Sequence, residues 1–311
     1  MTLIFSIQTK GSIWLLADCR LSAPGRQPID DAVKVASVKV NDGQAIIGYS
    51  GIGTTIAGSS PSDWIISVLR GRHFPLEKML ETLAGAMERQ FPAHLRMIPD
   101  QRQRHHVFVV PAFLNGEHKL YFIEAADSPG GLQFRFARHV LGGALTPLGI
   151  TVPLAISGSG APVVQKELQR AKNLLRLVKA FNKKKISADA VADELAKFGA
   201  LVHQRTKDGS VGPNFVVLRR SPKGSDLEGG IGSFFYTNGE RDRTKYHVPT
   251  LENGVDMGSV AKVLLEEGMR RSMKFREARL RDKNAEYPEH DSETVNRRLN
   301  EIPDDPDEKL R

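Results

Sequence analysis

The chain has 311 residues, of which 40% are hydrophobic, and its formal net charge is +8. This length and apolar content are sufficient for a full hydrophobic core in one large domain or two. The only cysteine, Cys19, excludes an internal disulfide and suits a reducing compartment. No apolar run reaches the roughly 18 residues of a membrane span, and no basic region followed by an apolar one opens the chain. We therefore expect a cytoplasmic protein with no membrane partner.

The positive charge does not by itself indicate a nucleic-acid partner. Much of the excess lies in predicted helices and in the C-terminal tail, where aromatic residues are not interleaved with the basic ones. We expect an ordinary solvated basic surface and no nucleic acid.

The first two predicted strands are the most informative part of the sequence. Residues 2–8 alternate large apolar side chains with smaller or polar ones, which is typical of a half-buried strand. Lys10-Gly11 predicts a turn, and residues 13–17 read as a strand buried on both faces that ends at Asp18. An antiparallel pair of this kind would bring Asp18 back to Thr2.

Thr2 carries both a nucleophile and a base if the residue before it is removed, which the small side chain of Thr2 permits. A threonine hydroxyl needs a base to take its proton, and an N-terminal α-amine can do this directly or through one water. The usual pKa of that amine is roughly 7.7 to 8, and a nearby Lys34 ammonium would favour the neutral form. Asp18 would hold Lys34 in place. The alternative is that Thr2, Asp18 and Lys34 are ordinary strand-end and surface residues.

These features resemble a proteasome β-subunit and its bacterial relatives, which are N-terminal-nucleophile hydrolases. The resemblance rests on the threonine strand, the turn and the apolar strand that ends in Ala-Asp-Cys-Arg. It also rests on the spacing of Thr2, Asp18 and Lys34, and Arg20 stands where the family's Asp-x-Arg has its arginine. It covers about residues 2 to 220 or 240. It implies a mixed α+β fold, a four-layer αββα sandwich with helices on both outer faces of two stacked sheets.

The next strands are predicted at 34–40 and 44–49, joined by the hairpin signal Asn41-Asp42-Gly43. In the resembling family the end of the second of these strands supplies a backbone donor for the oxyanion and lines the substrate pocket. The candidates here are Ser50, Gly51 and Ile52, with a simple turn into the next helix as the alternative.

Helices are predicted at 61–69, with Ser60 as the cap, and at 76–91. A meander of strands follows at 106–113, 118–124 and 133–138. His105 and His106 would point to opposite faces of the first of these strands, so we expect neither a metal nor a cofactor.

A Gly-Ser-Gly turn follows the strand predicted at 154–157 and precedes a helix predicted at 163–181. By the resemblance, Ser159 places a hydroxyl beside the terminal amine. The alternatives are a purely structural turn and a phosphate-binding loop, but the Gly-Lys-Ser/Thr of a P-loop is missing.

A second helix is predicted at 188–202 with Ser187 as its cap, and the segment 207–213 follows it. The related peptidases carry Asp-x-x-Ser-Gly-Gly here, with the acid and the serine near the terminal threonine. This chain has Asp-x-Ser-x-Gly, one residue tighter, so Asp208 and Ser210 are second-rank candidates. Strands are predicted at 214–220 and 232–237.

Composition changes after about residue 220. The sequence predicts a proteasome-like domain at 1–240, a helical extension at 241–285 with a helix at 260–280, and a charged disordered tail at 286–311. A basic helix at 270–276 could bind a partner or an acidic surface, although a solvated face is the simpler interpretation.

The prediction is therefore a threonine-type peptidase that cleaves peptides or unfolded proteins through an acyl-enzyme. The resemblance implies self-assembly into a ring or a helix, and whether an ATP-driven unfoldase feeds the protein is left open. The alternatives are a small-amide acylase on the same fold and a catalytically silent assembly protein.

Overall fold

The computed structural model describes residues 2–22, 27–51, 60–96, 106–128, 131–139, 154–222, 230–245, 248–289 and 291–302. Its strands are β1 (Ile4–Gln8), β2 (Ile13–Asp18), β3 (Val35–Lys39), β4 (Gly43–Ser50), β5 (Val107–Leu114), β6 (Glu117–Ser128), β7 (Gly131–His139), β8 (Leu154–Ser157), β9 (Phe215–Arg220), β10 (Ile231–Thr237), β11 (Glu240–Asp242), β12 (Thr250–Glu252) and β13 (Val255–Asp256). Its helices are α1 (Pro61–Leu69), α2 (Leu76–Arg96), α3 (Ala161–Lys166), α4 (Leu168–Asn182), α5 (Ala188–Arg205), α6 (Met257–Arg281) and α7 (Ser292–Asn300). The fold is mixed α+β.

The first sheet has the order β11-β10-β9-β2-β1-β8, and every neighbouring pair in it is antiparallel. The predicted hairpin of the first two strands forms, with Ile4 opposite Ala17 and Gln8 opposite Ile13. This register leaves Thr2 and Asp18 at the same end of the sheet.

The second sheet has the order β13-β12-β3-β4-β5-β6-β7. Strands β3 to β7 form an antiparallel meander, whereas β12 pairs in parallel with β3. Lys34 directly precedes β3, so this sheet delivers the third residue of the predicted site.

Side chains on the two faces of β2 enter different cores, which explains why this strand is buried on both sides. Trp14 and Leu16 belong to a cluster with α4 and α5. Ile13 and Leu15 belong to a second cluster, here called the inter-sheet core, which also contains residues of β3, β4 and β5. A third cluster joins the other face of the second sheet to α1 and α2.

Two helix starts agree with the sequence prediction. The Ser60 hydroxyl accepts a hydrogen bond from the backbone N–H of Asp63, and the Ser187 hydroxyl accepts one from Ala190. Each satisfies one of the backbone donors that a helix start leaves without a partner in the helix.

Two helix boundaries differ from the prediction. The helix expected to end at Phe91 continues to Arg96, because Pro92 near the helix end removes only one backbone hydrogen bond there. The single helix expected at 163–181 is broken into α3 and α4 at Glu167, whose carboxylate pairs with Arg205 of α5. The spacing of apolar residues along the sequence does not indicate this tertiary contact.

The C-terminal part is more ordered than its composition indicates. Strand β12 extends the second sheet, and residues 292–300, expected in a disordered tail, form α7. Arg270 of α6 pairs with Asp291 at the cap of α7, and Arg298 of α7 pairs with Glu266. Of the helices described, none is long and apolar enough to cross a membrane.

Candidate active site

Thr2, Asp18 and Lys34 meet in the interior between the two sheets. All three residues have no exposed surface. The Thr2 hydroxyl donates a hydrogen bond to Asp18 Oδ1 and accepts one from Lys34 Nζ. Lys34 Nζ also lies 2.8 Å from Asp18 Oδ1, so the three polar groups form one closed triangle.

The Asp18 carboxylate receives donors on both oxygens. Oδ1 also accepts from the backbone N–H of Leu3 at 2.7 Å, and Oδ2 accepts from those of Arg20 at 3.2 Å and Gly212 at 3.0 Å. A buried charge is tolerated when it is paired and hydrogen-bonded, and these contacts meet that condition.

The Lys34 ammonium has three protons, and each has an acceptor. These are Asp18 Oδ1, the Thr2 hydroxyl and the carbonyl oxygen of Arg20, the last at 2.7 Å. With no free donor and no exposed surface, the ammonium is fixed against the Thr2 hydroxyl.

The Gly-Ser-Gly turn holds the backbone of Thr2. Gly158 has φ +93°, and a Cβ built on it would lie 1.9 Å from the carbonyl oxygen of Thr2. That oxygen accepts from the N–H of Gly160 at 3.4 Å, and Ser159 Oγ lies at the same distance from it. Only glycine fits at position 158, because of both its conformation and the close approach of Thr2.

Asp208, Ser210 and Ser159 form a chain of contacts that leads towards Thr2. The Ser210 hydroxyl lies 2.6 Å from Asp208 Oδ1 and 2.6 Å from the Ser159 hydroxyl. A carboxylate oxygen only accepts, so the one Ser210 proton goes to Asp208 and Ser159 donates to Ser210. The tighter spacing of this motif thus still brings the acid and the serine to the site.

The pKa of Asp208 is lowered from its usual 3.8. Partial burial acts to raise this pKa, but the hydrogen bonds from the Ser210 hydroxyl and the Ser210 N–H outweigh it. Asp208 is therefore a carboxylate near neutral pH and accepts from Ser210.

Arg20 ties two loops together beside the site. Its guanidinium makes a bidentate pair with Asp30, at 2.6 and 2.7 Å, and donates to the carbonyl oxygen of Gly209. The pKa of Arg20 is raised, first by the hydrogen bond to Asp30. This clamp holds the loop that carries Asp208 and Ser210 against the end of β2.

The surroundings of Cys19 are those of a residue with a structural role. Its side chain is buried, and its backbone N–H donates to the carbonyl oxygen of Asn214 at 2.9 Å. Burial, followed by the charge of Asp18, raises the pKa of the thiol to about 12. A thiol in this state is a poor nucleophile.

The predicted pocket residues are only partly described. Ser50 ends β4, and its hydroxyl lies 3.1 Å from a Cβ built on Gly158, so the end of β4 borders the site. A Cβ built on Gly51 would lie 2.5 Å from both Tyr49 Oη and His106 Nδ1. Ile52 lies outside the described residues.

Sequence reasoning missed two contributors. The N–H of Gly212 donates to Asp18, and His203 Nδ1 lies 2.7 Å from the carbonyl oxygen of Val211. A histidine on a charged helix end gives no local signal of this role. Across the described ranges there is no group of three or more His, Cys, Asp or Glu residues that could hold a metal.

No protein-family model and no curated protein matches the chain. Anbu (ancestral beta-subunit) from Yersinia bercovieri is a similar solved structure, with 13% identity, coverage of 74% of this chain and 86% of that chain, and a TM-score of 0.44. The Anbu (Gly-1) mutant from Hyphomicrobium sp. strain MC1 has 12% identity, coverage of 71% and 82%, and a TM-score of 0.43. Anbu from the same strain has 12% identity, coverage of 74% and 86%, and a TM-score of 0.41.

Proposed function

We propose that this chain is an N-terminal-threonine hydrolase that cleaves peptide bonds through an acyl-enzyme. The observation that carries the proposal is the buried contact of the Thr2 hydroxyl with both Asp18 and Lys34. A hydroxyl held between a carboxylate and an ammonium is poised to lose its proton and to become a nucleophile. The proposal requires that Thr2 become the first residue of the mature chain.

The proposal includes a four-layer αββα architecture. Three separate cores support it: one between the sheets, one between the first sheet and α4 and α5, and one between the second sheet and α1 and α2. In this arrangement the site lies between the two sheets at one end, where β1, β2 and the start of β3 meet.

The reaction begins when the Thr2 hydroxyl passes its proton to the α-amine of Thr2, directly or through one water. Oγ1 then bonds to the scissile carbonyl carbon, and the C–N bond of the substrate breaks as the protonated amine donates its proton to the leaving nitrogen. Water attacks the resulting ester with the amine again accepting a proton. The bond from the acyl carbon to Oγ1 breaks, the amine returns the proton to Oγ1, and the acid product leaves.

Lys34 and Asp18 support these steps without leaving their positions. The Lys34 ammonium stabilises negative charge that develops on Thr2 Oγ1, and it disfavours a second positive charge on the nearby amine. Asp18 fixes Lys34 and also accepts from Leu3, the residue after the nucleophile. Ser159 and Ser210, ending at Asp208, supply further hydroxyls beside the backbone of Thr2.

The proposed substrates are peptides or unfolded proteins, and the proposed state is a homo-oligomeric ring or helix in the cytoplasm. Light scattering of the purified protein measures the subunit number. A panel of peptides and small amides distinguishes a peptidase from a small-amide acylase, because an acylase would hydrolyse the small amides alone.

The test is intact mass before and after exposure to an epoxyketone, which reacts with a terminal hydroxyl–amine pair. We expect a chain that starts at Thr2 to gain one adduct, and Thr2→Ala to gain none. Thr82→Ala is the matched control, because Thr82 lies on α2 and its hydroxyl donates to the carbonyl oxygen of Lys78 in the same helix.

The proposal fails if the chain starts at Thr2 and takes no adduct, or if Thr2→Ala hydrolyses the peptide panel as fast as the unsubstituted chain. A chain that retains Met1 and is inert to both probe and substrates would instead identify a catalytically silent assembly protein.

A further inference from the structure

One peptide group lies between His203 on α5 and the carboxylate of Asp18. Its carbonyl oxygen belongs to Val211 and lies 2.7 Å from His203 Nδ1. Its N–H belongs to Gly212 and lies 3.0 Å from Asp18 Oδ2. The two hydrogen bonds therefore use opposite ends of the same rigid peptide plane.

The direction of the first hydrogen bond follows from chemistry. A backbone carbonyl oxygen has no proton to donate, so Nδ1 of His203 must carry the proton in this contact. Donation to the Val211 carbonyl polarises the peptide group, which makes the Gly212 N–H a better donor to Asp18. The imidazole thus acts on the carboxylate across one peptide group.

Glycine at position 212 creates the need for such a contact. A Cβ built on Gly212 would lie 2.7 Å from Arg20 Cβ and 2.9 Å from Asp30 Oδ1, so no larger residue fits. A glycine fits this space but leaves the peptide before it free to rotate. Rotation by half a turn would remove the N–H from Asp18 and point a carbonyl oxygen at the carboxylate.

The Val211 side chain is buried in the cluster with α4 and α5, and the flanking residues of the segment are held from the side of β2. Arg20 donates to the carbonyl oxygen of Gly209, and the N–H of Cys19 donates to that of Asn214. Both contacts lie at least two residues from the Val211–Gly212 peptide and do not fix its plane. His203 contacts that peptide directly.

We propose that His203 is a positioning residue of the hydrolase: it locks the Val211–Gly212 peptide so that Asp18 Oδ2 is occupied and Oδ1 remains directed at Thr2 and Lys34. The inference rests on the proposed function for its effect on rate, but not for its effect on the peptide. Without the His203 contact, the Asp18 carboxylate loses the Gly212 N–H as a donor and can rotate more freely.

The experiment compares His203→Leu, which removes the donor, with His203→Asn, whose amide nitrogen can take the place of Nδ1. Gln204→Leu is the matched control, because its side chain is exposed on the same helix. The first measurement is the rate constant of epoxyketone addition. We expect His203→Leu to lose about tenfold in rate, the size of one neutral hydrogen bond, and His203→Asn to recover most of that loss.

The second measurement reports on the peptide itself. The sequence contains a single Val-Gly dipeptide, so labelling valine with ¹³C and glycine with ¹⁵N gives one carbonyl-linked amide signal, that of Gly212. An amide proton that is hydrogen-bonded to a carboxylate resonates downfield. We expect this signal to move upfield in His203→Leu and in Asp18→Asn, and to stay in place in His203→Asn and Gln204→Leu.

The outcomes separate the two proposals. If the unsubstituted chain takes no adduct but the Gly212 signal responds as expected, the proposed function fails and the positioning role stands. If the adduct forms and His203→Leu changes neither its rate nor the Gly212 signal, the positioning role is overturned. A rate loss in His203→Leu that His203→Asn does not recover also overturns it.

Discussion

Lys34 Nζ lies 2.8 Å from Asp18 Oδ1, and neither side chain has any exposed surface. The two residues come from different sheets, since Asp18 ends β2 and Lys34 precedes β3. The ion pair therefore links the sheets at the site and also contributes the charges that surround Thr2. We therefore expect this one ion pair to affect both the stability of the fold and the reactivity of Thr2.

Lys34→Met should reduce both the stability of the fold and the reactivity of Thr2. Methionine fills a similar volume but leaves the Asp18 carboxylate buried without its ion-pair partner, which costs about 3–5 kcal/mol in the free energy of unfolding. Epoxyketone addition should also be lost, because the Thr2 hydroxyl no longer has an ammonium beside it. Urea unfolding and intact mass measure the two effects.

Lys39→Met is the control for this substitution. Lys39 pairs with Glu252 at 3.1 Å, but both side chains are more than a third exposed, at 43% and 37%. Such a surface pair contributes at most about 1 kcal/mol. Equal losses in Lys34→Met and Lys39→Met would contradict the central place of the buried pair.

Gly158→Ala should displace Thr2. The added methyl group would overlap the carbonyl oxygen of Thr2, and the backbone at φ +93° is one that alanine adopts with strain. We expect loss of epoxyketone addition together with a lower midpoint of urea unfolding. Gly116→Ala provides the comparison, since φ is +81° there and nothing lies within 4 Å of the new methyl group. A fully reactive Gly158→Ala chain would show that Thr2 is not held by this turn.

Cys19 should resist alkylation in the folded protein. Burial raises the pKa of its thiol to about 12, so almost no thiolate exists near pH 8, and the side chain is enclosed. Iodoacetamide should add nothing to the native chain and one group to the chain in guanidinium chloride, as read by intact mass. Rapid labelling of the native chain would mean that the end of β2 is open to solvent.

The part of the site formed by local pattern was predictable. Apolar alternation and the turn at Lys10-Gly11 specify the first hairpin, and the hairpin register alone brings Asp18 towards Thr2. Lys34 could be added only through its spacing from Thr2, because it directly precedes a strand of the other sheet. A period-2 pattern specifies a strand but not which strands of the other sheet it will face.

The parts that were missed depend on contacts distant in sequence. The break at Glu167 coincides with an ion pair to Arg205, and the parallel pairing of β12 with β3 joins segments more than 200 residues apart. Residues 292–300 have little apolar content, yet α7 forms against α6, with Val295 buried. Composition indicates how much apolar surface a segment can bury, but it does not indicate which contacts a neighbouring helix can make with that segment.

Asp208 provides a prediction on pH dependence. Partial burial alone would raise its pKa, but its hydrogen bonds with Ser210 lower it below 3.8 in the folded chain. A carboxyl group with a lowered folded pKa stabilises the protein above its unfolded pKa, and that contribution is lost as the pH falls through the folded pKa. Asp208→Asn should therefore be less stable than the unsubstituted chain near neutral pH.

The difference between the two chains should shrink as the pH falls below the ordinary pKa of an aspartate, roughly 3.9. Urea unfolding from about pH 6 to about pH 2.5 measures it, provided that both chains still fold at the acid end. Ser210→Ala is the control: it removes the hydroxyl donor, so Asp208→Asn in that background should have less effect at every pH. A difference that grows on acidification would mean that Asp208 is held neutral, and that the chain of hydroxyls towards Thr2 does not end at a carboxylate.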